Sequence, residues 1–296
     1  KLLLTRVKRM AGVADANNDG FPEIVSMDML PKDPYILKRS LGEDDYDIYK
    51  YKISVGYDYQ FTRNNLQWNR RNGHFSEIGM YAGIYATDWS WATLWMDFDN
   101  DGSKDLFVAN GIPKRMNDID YVNFVSNKEI QEKIRDDKME QKDMGLVDKF
   151  PEIKIPNNFF LNQKNMSFSD ISSNINNNPP SYSNGAVYAD LDNDGDLDII
   201  VNKMNQEAGI YKNNTIENKT NGNYIDVSLK SDSKNTYALG AKITLYAASG
   251  QYTIENYPVH GFQSSMQIPL HLTFPDKKID SLKISWPNGN IETIKQ

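Results

Sequence analysis

The sequence predicts an all-β fold: a β-propeller of four-stranded blades carrying helical insertions, followed by a small β-sandwich-like C-terminal domain. Three observations predict it. An acidic nine-residue loop with glycine at its sixth position occurs three times, at 15–23, 97–105 and 190–198. Each copy runs into a short apolar segment with the composition of a strand. A matching pair of strand-like segments precedes the second and third copies. Self-similarity over tens of residues marks a repeat architecture.

The loops read Asp15-Ala16-Asn17-Asn18-Asp19-Gly20-Phe21-Pro22-Glu23, Asp97-Phe98-Asp99-Asn100-Asp101-Gly102-Ser103-Lys104-Asp105 and Asp190-Leu191-Asp192-Asn193-Asp194-Gly195-Asp196-Leu197-Asp198. Positions 1, 3, 5 and 9 carry side-chain oxygens in every copy. Calcium takes about 6–8 oxygen ligands, and a glycine permits the sharp turn that wraps them around the ion. A single copy would read equally as an acidic surface turn, because Asp, Asn and Gly are ordinary turn formers. Three copies with donors at all four positions argue for Ca²⁺, at up to three sites. The first copy has Asn17 at position 3 and Glu23 at position 9, so weaker or more exchangeable binding is expected there. An EF-hand requires a bidentate Glu at position 12 and flanking helices. Position 12 here is Ser26, Val108 and Val201, each in an apolar run.

Those runs are Ile24-Val25, Leu106-Phe107-Val108-Ala109 and Ile199-Ile200-Val201; the segments Thr93-Leu94-Trp95-Met96 and Ala186-Val187-Tyr188-Ala189 precede the last two loops. Each loop therefore joins two strands. Asn65-Leu66-Gln67-Trp68 with Gly73-His74-Phe75-Ser76-Glu77-Ile78 is echoed by Asn158-Phe159-Phe160-Leu161-Asn162 with Ser167-Phe168-Ser169-Asp170-Ile171. The expected blade is this strand pair followed by the loop hairpin. Two full blades and the hairpin of an earlier one are expected on that basis. Loop starts lie 82 and 93 residues apart, longer than a blade of about 40–50 residues. The excess falls in insertions at about 31–59, charged and rich in Tyr, and about 112–157, where 128–135 reads as an exposed helix. Insertions on one face of a repeat scaffold commonly build its binding surface.

Apolar residues make up 39% and aromatic residues 11%, enough for a packed core. No run approaches the length of a membrane span. The formal charge of −7 argues against nucleic acid as a partner, and three calcium ions would nearly cancel it. There is no cysteine, so no disulfide framework and no thiol chemistry; in an extracellular setting the calcium loops would act as the staples. His74, His260 and His271 lie in no metal-ligand spacing and read as structural. Trp89, Trp91 and Trp95 read as packing between blades rather than as a sugar platform.

The repeat units resemble FG-GAP/VCBS repeats, the calcium-loop blades of integrin-α-type propellers. Asp28-Met29-Leu30-Pro31, Thr87-Asp88-Trp89-Ser90-Trp91-Ala92 and Asp105-Leu106-Phe107-Val108-Ala109-Asn110-Gly111 are similar to segments of large secreted FG-GAP proteins of Bacteroidetes. Asn223-Tyr224-Ile225-Asp226-Val227, Leu239-Gly240-Ala241-Lys242-Ile243, Gly261-Phe262-Gln263-Ser264-Ser265 and Ser285-Trp286-Pro287-Asn288-Gly289 resemble an ASPIC/UnbV domain, the module that follows such repeats in cartilage acidic protein and its bacterial relatives.

The resemblance implies blades over 1–216 and an ASPIC/UnbV-like domain over 222–296. It implies metal ligands at Asp15, Asn17, Asp19 and Glu23; Asp97, Asp99, Asp101 and Asp105; and Asp190, Asp192, Asp194 and Asp198, with backbone carbonyls of Phe21, Ser103 and Asp196 completing the shells. Such propellers close with about seven blades, so the chain is expected to be the C-terminal part of a longer one, or to have its open edge covered by a partner. The function expected is a non-catalytic, calcium-binding module, secreted or on the outer-membrane surface, whose partner is a protein or a glycan. The alternatives are an accessory subunit of an outer-membrane complex and, less favoured, a calcium-dependent polysaccharide lyase or hydrolase.

Overall fold

The computed structural model describes residues 4–5, 10–41, 44–138, 140, 145, 152–217, 222–231 and 234–295. Most of the second insertion beyond 138 therefore lies outside the described residues. The first unit contains β1 (Leu4–Thr5), β2 (Met10–Ala14), β3 (Glu23–Met27), α1 (Pro34–Arg39), α2 (Tyr46–Ser54), β4 (Gln60–Phe61), β5 (Asn65–Asn69) and β6 (Phe75–Glu77). Its antiparallel sheet has the order β2-β3-β5-β6, and β1 and β4 form a separate short parallel pair. The second unit contains β7 (Ser90–Met96), β8 (Asp105–Asn110), α3 (Ile119–Val125), α4 (Lys128–Arg135), β9 (Asn158–Asn162) and β10 (Phe168–Asp170), with sheet order β7-β8-β9-β10. The third is a three-stranded sheet of β11 (Ser183–Ala189), β12 (Asp198–Lys203) and β13 (Gly209–Tyr211).

The blade phase differs from the sequence expectation by half a unit. Each loop hairpin pairs with the two strands that follow it, not with the two that precede it: Val25 lies opposite Leu66, and Leu106 opposite Phe160. Sequence proximity favoured the other pairing, because the insertions separate β3 from β5 and β8 from β9. The short stretch from β6 to β7 is instead a crossover between blades. It buries Ala82 and Ile84, and Ala82 accepts a bond from the Phe168 N–H of the next blade.

Period-2 alternation then explains the core. In β8, Leu106 and Val108 pack with Val25, Met27 and Leu66 of the first blade, while Phe107 and Ala109 pack with Ala186, Ile199 and Val201 of the third. With both faces covered, every residue of β8 is buried. Among the described residues, the outward faces of the flanking blades carry exposed apolar side chains, with Val13 54% exposed and Ile210 62%. The described blades form an open stack, not a closed ring.

Both insertions leave from the same place, the connection between the second and third strands of a blade. That is the end of the blade opposite the acidic loop. Four helices begin there, capped by Asp33, Asp45, Asp118 and Asn127, whose side chains accept first-turn N–H groups. The expected exposed helix at 128–135 is α4, which buries only Ile130.

The C-terminal module contains β14 (Asn223–Val227), β15 (Lys242–Ala247), β16 (Gly250–Glu255), β17 (Leu270–Phe274), β18 (Ile279–Ser285) and β19 (Ile291–Lys295). Its sheets β14-β17 and β16-β15-β18-β19 sandwich Ile243, Leu245, Leu272 and Phe274. The segment between β16 and β17 reaches back to the blades. The Phe262 ring packs at a tilt against Trp91, 4.6 Å between centroids, and Met266 and Ile268 join the core between the second and third blades. Trp91 thus packs against this module, whereas Trp95 packs between blades, in the core with Val25, Met27 and Leu66 of the first and beside Phe168 of its own sheet at 5.9 Å.

Candidate metal centre

The three acidic loops share one hydrogen-bonded frame. The position-1 carboxylates, Asp15, Asp97 and Asp190, each accept the N–H groups of positions 5 and 6 at 2.7–3.2 Å. The position-5 carboxylates, Asp19, Asp101 and Asp194, accept the N–H of position 7 at 2.8–3.1 Å, which fixes the peptides of Phe21, Ser103 and Asp196. Position 4 is Asn in every copy and adopts the left-handed region, with φ of 57° at Asn18, 55° at Asn100 and 60° at Asn193. Position 6 follows at 89°, 87° and 95°, which favours glycine.

Position 9 does more than offer an oxygen. One oxygen of Glu23, Asp105 and Asp198 takes the N–H of position 2, and the other takes the N–H of Asn69, Asn162 and Asn213 at or just beyond the end of the blade's third strand. Position 9 therefore latches the loop to its own blade. Those asparagines also tie blades together: Asn162 donates to Ala16 O at 2.9 Å and Asn213 to Phe98 O at 2.8 Å. The position-4 asparagines link one loop to the next, Asn18 to Gly102 O at 2.7 Å and Asn100 to Gly195 O at 3.2 Å. Sequence reading missed this role; the available signal was Asn at the same position of all three loops.

The donor set fits a hard divalent cation in the second and third loops. Carboxylate oxygens of Asp97, Asp99 and Asp105 lie within 4.8 Å of one another, as do those of Asp190, Asp192 and Asp194. Asp101 and Asp198 belong to the same loops but fall outside these groups. Asp99 Oδ1 and Asp194 Oδ2 are buried without a hydrogen-bond partner, a condition that a cation relieves. Burial makes the charged form costly for several of these acids when no cation balances it. Burial pushes Asp97 and Glu23 up to about 7 and Asp196 to about 6, and raises Asp15, Asp99 and Asp105. Asp192 runs the other way, lowered by its hydrogen bond from Lys212.

The first loop brings no three carboxylates together among the described residues; Asn17 stands at position 3, and its oxygen already accepts the Asp19 N–H at 3.1 Å. Phe21 is exposed, Ser103 buried, and Asp196 fully buried with one carboxylate oxygen on Ile216 N at 3.0 Å. Of the histidines, His74 lies exposed in the β5–β6 turn, and His271 is buried with Nδ1 2.9 Å from Asp226.

Stacked four-stranded sheets with an acidic loop between their first two strands define a propeller-type repeat protein. The FG-GAP-like repeat family matches residues 53–108 and 155–201, spans that contain the second and third loops, and the ASPIC and UnbV family matches 231–296. The chain thus contains FG-GAP-like repeats followed by an ASPIC/UnbV domain. FG-GAP-like repeats often bind calcium and are typical of extracellular proteins. No curated protein matches this chain. Among the described residues, no helix is long and apolar enough to cross a membrane.

Proposed function

We propose that this chain is a calcium-stabilised, non-catalytic binding module of the cell exterior, secreted or held at an outer-membrane surface, whose joined insertions form the face that takes a protein or glycan. One observation carries this reading: the two insertions are locked into a single platform. Arg39 holds Asp118 through Nε and Nη2 at 3.0 and 3.2 Å and Asp120 at 2.9 Å, and Leu41 N bonds Asn117 O at 2.7 Å. On that platform α2 and α3 bury no residue, and Tyr35, Tyr46, Tyr51, Tyr57, Met116 and Ile119 are exposed. Tyrosine and methionine are the residues that interface cores favour. At the other end of the blades, Ca²⁺ in the acidic loops fastens each hairpin, so that ion binding adds to folding stability.

The test is a binding screen against surface proteins and neutral and acidic glycans, repeated with Tyr46→Ala/Tyr51→Ala. Binding that disappears in the variant without a change in melting temperature supports the reading. Binding untouched by the variant, or turnover of a glycan, overturns it. The exposed apolar side chains on the outward faces of the first and third blades favour a second reading, an accessory subunit of an outer-membrane assembly. Co-purification with a membrane partner, lost on Ile210→Lys, would favour that one.

A further inference from the structure

The three loops share one end of the blade stack, and the C-terminal module covers all three at the same point. A Cβ on Gly20 would lie 2.9 Å from Gln251 Nε2, one on Gly102 2.3 Å from the Tyr252 ring, and one on Gly195 2.0 Å from the Tyr224 ring. Position 6 is thus glycine for two reasons: the turn needs its φ, and the module lies directly against it. Polar contacts follow the same line. Lys242 Nζ donates to Gly20 O at 2.6 Å, and the Thr273 hydroxyl donates to Asp97 Oδ2. Asp97 and Thr273 are both buried, and Asp97 is the position-1 carboxylate of the loop whose acid group is the more buried of the two.

We propose that the C-terminal module completes the middle calcium site, with Thr273 as the positioning residue for Asp97, so that ion binding and module docking are one coupled equilibrium. This rests on the calcium reading above. A metal-ligating carboxylate is oriented by the group that bonds its other face, and loss of such a partner typically lowers metal affinity about 10- to 100-fold. Thr273 adds a third bond to an Asp97 carboxylate that the Asp101 and Gly102 N–H groups already hold, and Tyr252 walls the adjacent turn. The docked module therefore stiffens the site, and a loop without the module must hold Asp97 by the backbone frame alone as the ion binds. Linkage makes the effect reciprocal: whatever factor docking adds to calcium affinity, calcium adds to docking. The interface is sensitive to this because part of it, the contacts of Gln251, Tyr252, Tyr224, Lys242 and Thr273, falls on the ion loops themselves.

Two measurements on the full chain test it, with calcium alone as the probe. Calcium titration of Thr273→Val should show the strongest site weakened by about tenfold or more, Thr273→Ser should restore it, and Tyr252→Ala should weaken it as well. Because the chain has no cysteine, spin labels at Asn72→Cys and Lys278→Cys, both exposed, report the distance between first blade and module. The distribution should be narrow in calcium and broaden on chelation. Wild-type affinity in Thr273→Val and Tyr252→Ala, with an unchanged distance distribution after chelation, overturns the coupling while leaving the calcium reading intact. A wild-type chain that binds no calcium at millimolar concentration overturns both.

Discussion

The first and second loops fold alike and differ in what they can hold. Both wrap a position-1 aspartate with the N–H groups of positions 5 and 6, and both latch position 9 to the third strand. In the second loop the position-3 residue is Asp99, with an orphaned oxygen beside Asp97 and Asp105. In the first it is Asn17, whose oxygen is satisfied inside the loop. The turn is therefore built by backbone bonds to positions 1, 5 and 9, and the cation chemistry is decided separately, chiefly at position 3. The repeat family matches the span holding the second loop and not the first.

The largest effect should come from removing position 1. Asp97→Ala strands the N–H groups of Asp101 and Gly102 and the Thr273 hydroxyl in a buried site. At about 1–3 kcal/mol per stranded group, the loss should be about 3 kcal/mol or more. Asp15→Ala strands two N–H groups and should cost about 1–3 kcal/mol less. Urea unfolding of both variants in calcium-free buffer checks this; equal losses would mean that Thr273 adds nothing to the second loop.

Exchanging the position-3 residues should separate frame from ion. Asp99→Asn should remove most of the calcium-dependent stabilisation of the second loop, and Asn17→Asp should create it in the first. A site held at a hundredfold excess over its Kd contributes about 2.7 kcal/mol, or about 5–10 °C in melting temperature. Melting curves with and without calcium should show that increment move from one loop to the other, with the calcium-free midpoints little changed. A calcium-independent midpoint in the wild type would remove the ion from the account of both loops.

Protons should distinguish the loops as well. Asp97 and Glu23 are held at about 7 by burial, above the roughly 4 of an exposed carboxyl. For an acid with a raised folded value, the folded state keeps protons that the unfolded chain releases. In calcium-free buffer, stability is thus greatest below about pH 4 on this account and falls as pH rises through about 7. Calcium at a concentration that fills only the second loop should cancel the part due to Asp97 and leave the part due to Glu23, which Glu23→Gln then removes. Urea midpoints from pH 4 to 8 give the slopes; a calcium-independent slope would place Asp97 outside the ion site.

What could be read from the sequence follows the same division. Donor residues at positions 1, 3, 5 and 9 and the strands beside them are local and repeated, so spacing alone reveals them. The pairing of β3 with β5 was not legible, because it spans an insertion, and the bond from Asn69 N to Glu23 that accompanies it joins residues 46 positions apart. Helical insertions were expected, but the positions of α1 and α2 within 31–59 were not read, although Asp33-Pro34 and Asp45 are ordinary helix starts. The contacts of Tyr252 with Gly102 and of Thr273 with Asp97 join residues more than a hundred positions apart, and nothing local announces them.

The smallest effect tests the rim. Each loop carries one cation from the turn or strand end that follows: Arg71 on Asp19 at 2.8 Å, Lys164 on Asp101 at 3.0 Å and Lys212 on Asp192 at 2.8 Å. Arg71 and Lys164 are mostly exposed, so each pair contributes about 0–1 kcal/mol in calcium-free buffer. An ammonium beside the second loop also repels an arriving divalent ion, and salt screens that repulsion. Lys164→Gln should therefore lower calcium-free stability slightly while raising calcium affinity by a few-fold, with the gain shrinking in high salt. Arg71→Gln should cost as little and change calcium affinity hardly at all, because the first loop has little affinity to gain. Equal changes in affinity at the two positions would mean that the first loop is as good an ion site as the second, and that the carboxylate at position 3 matters less than its orphaned oxygen implies.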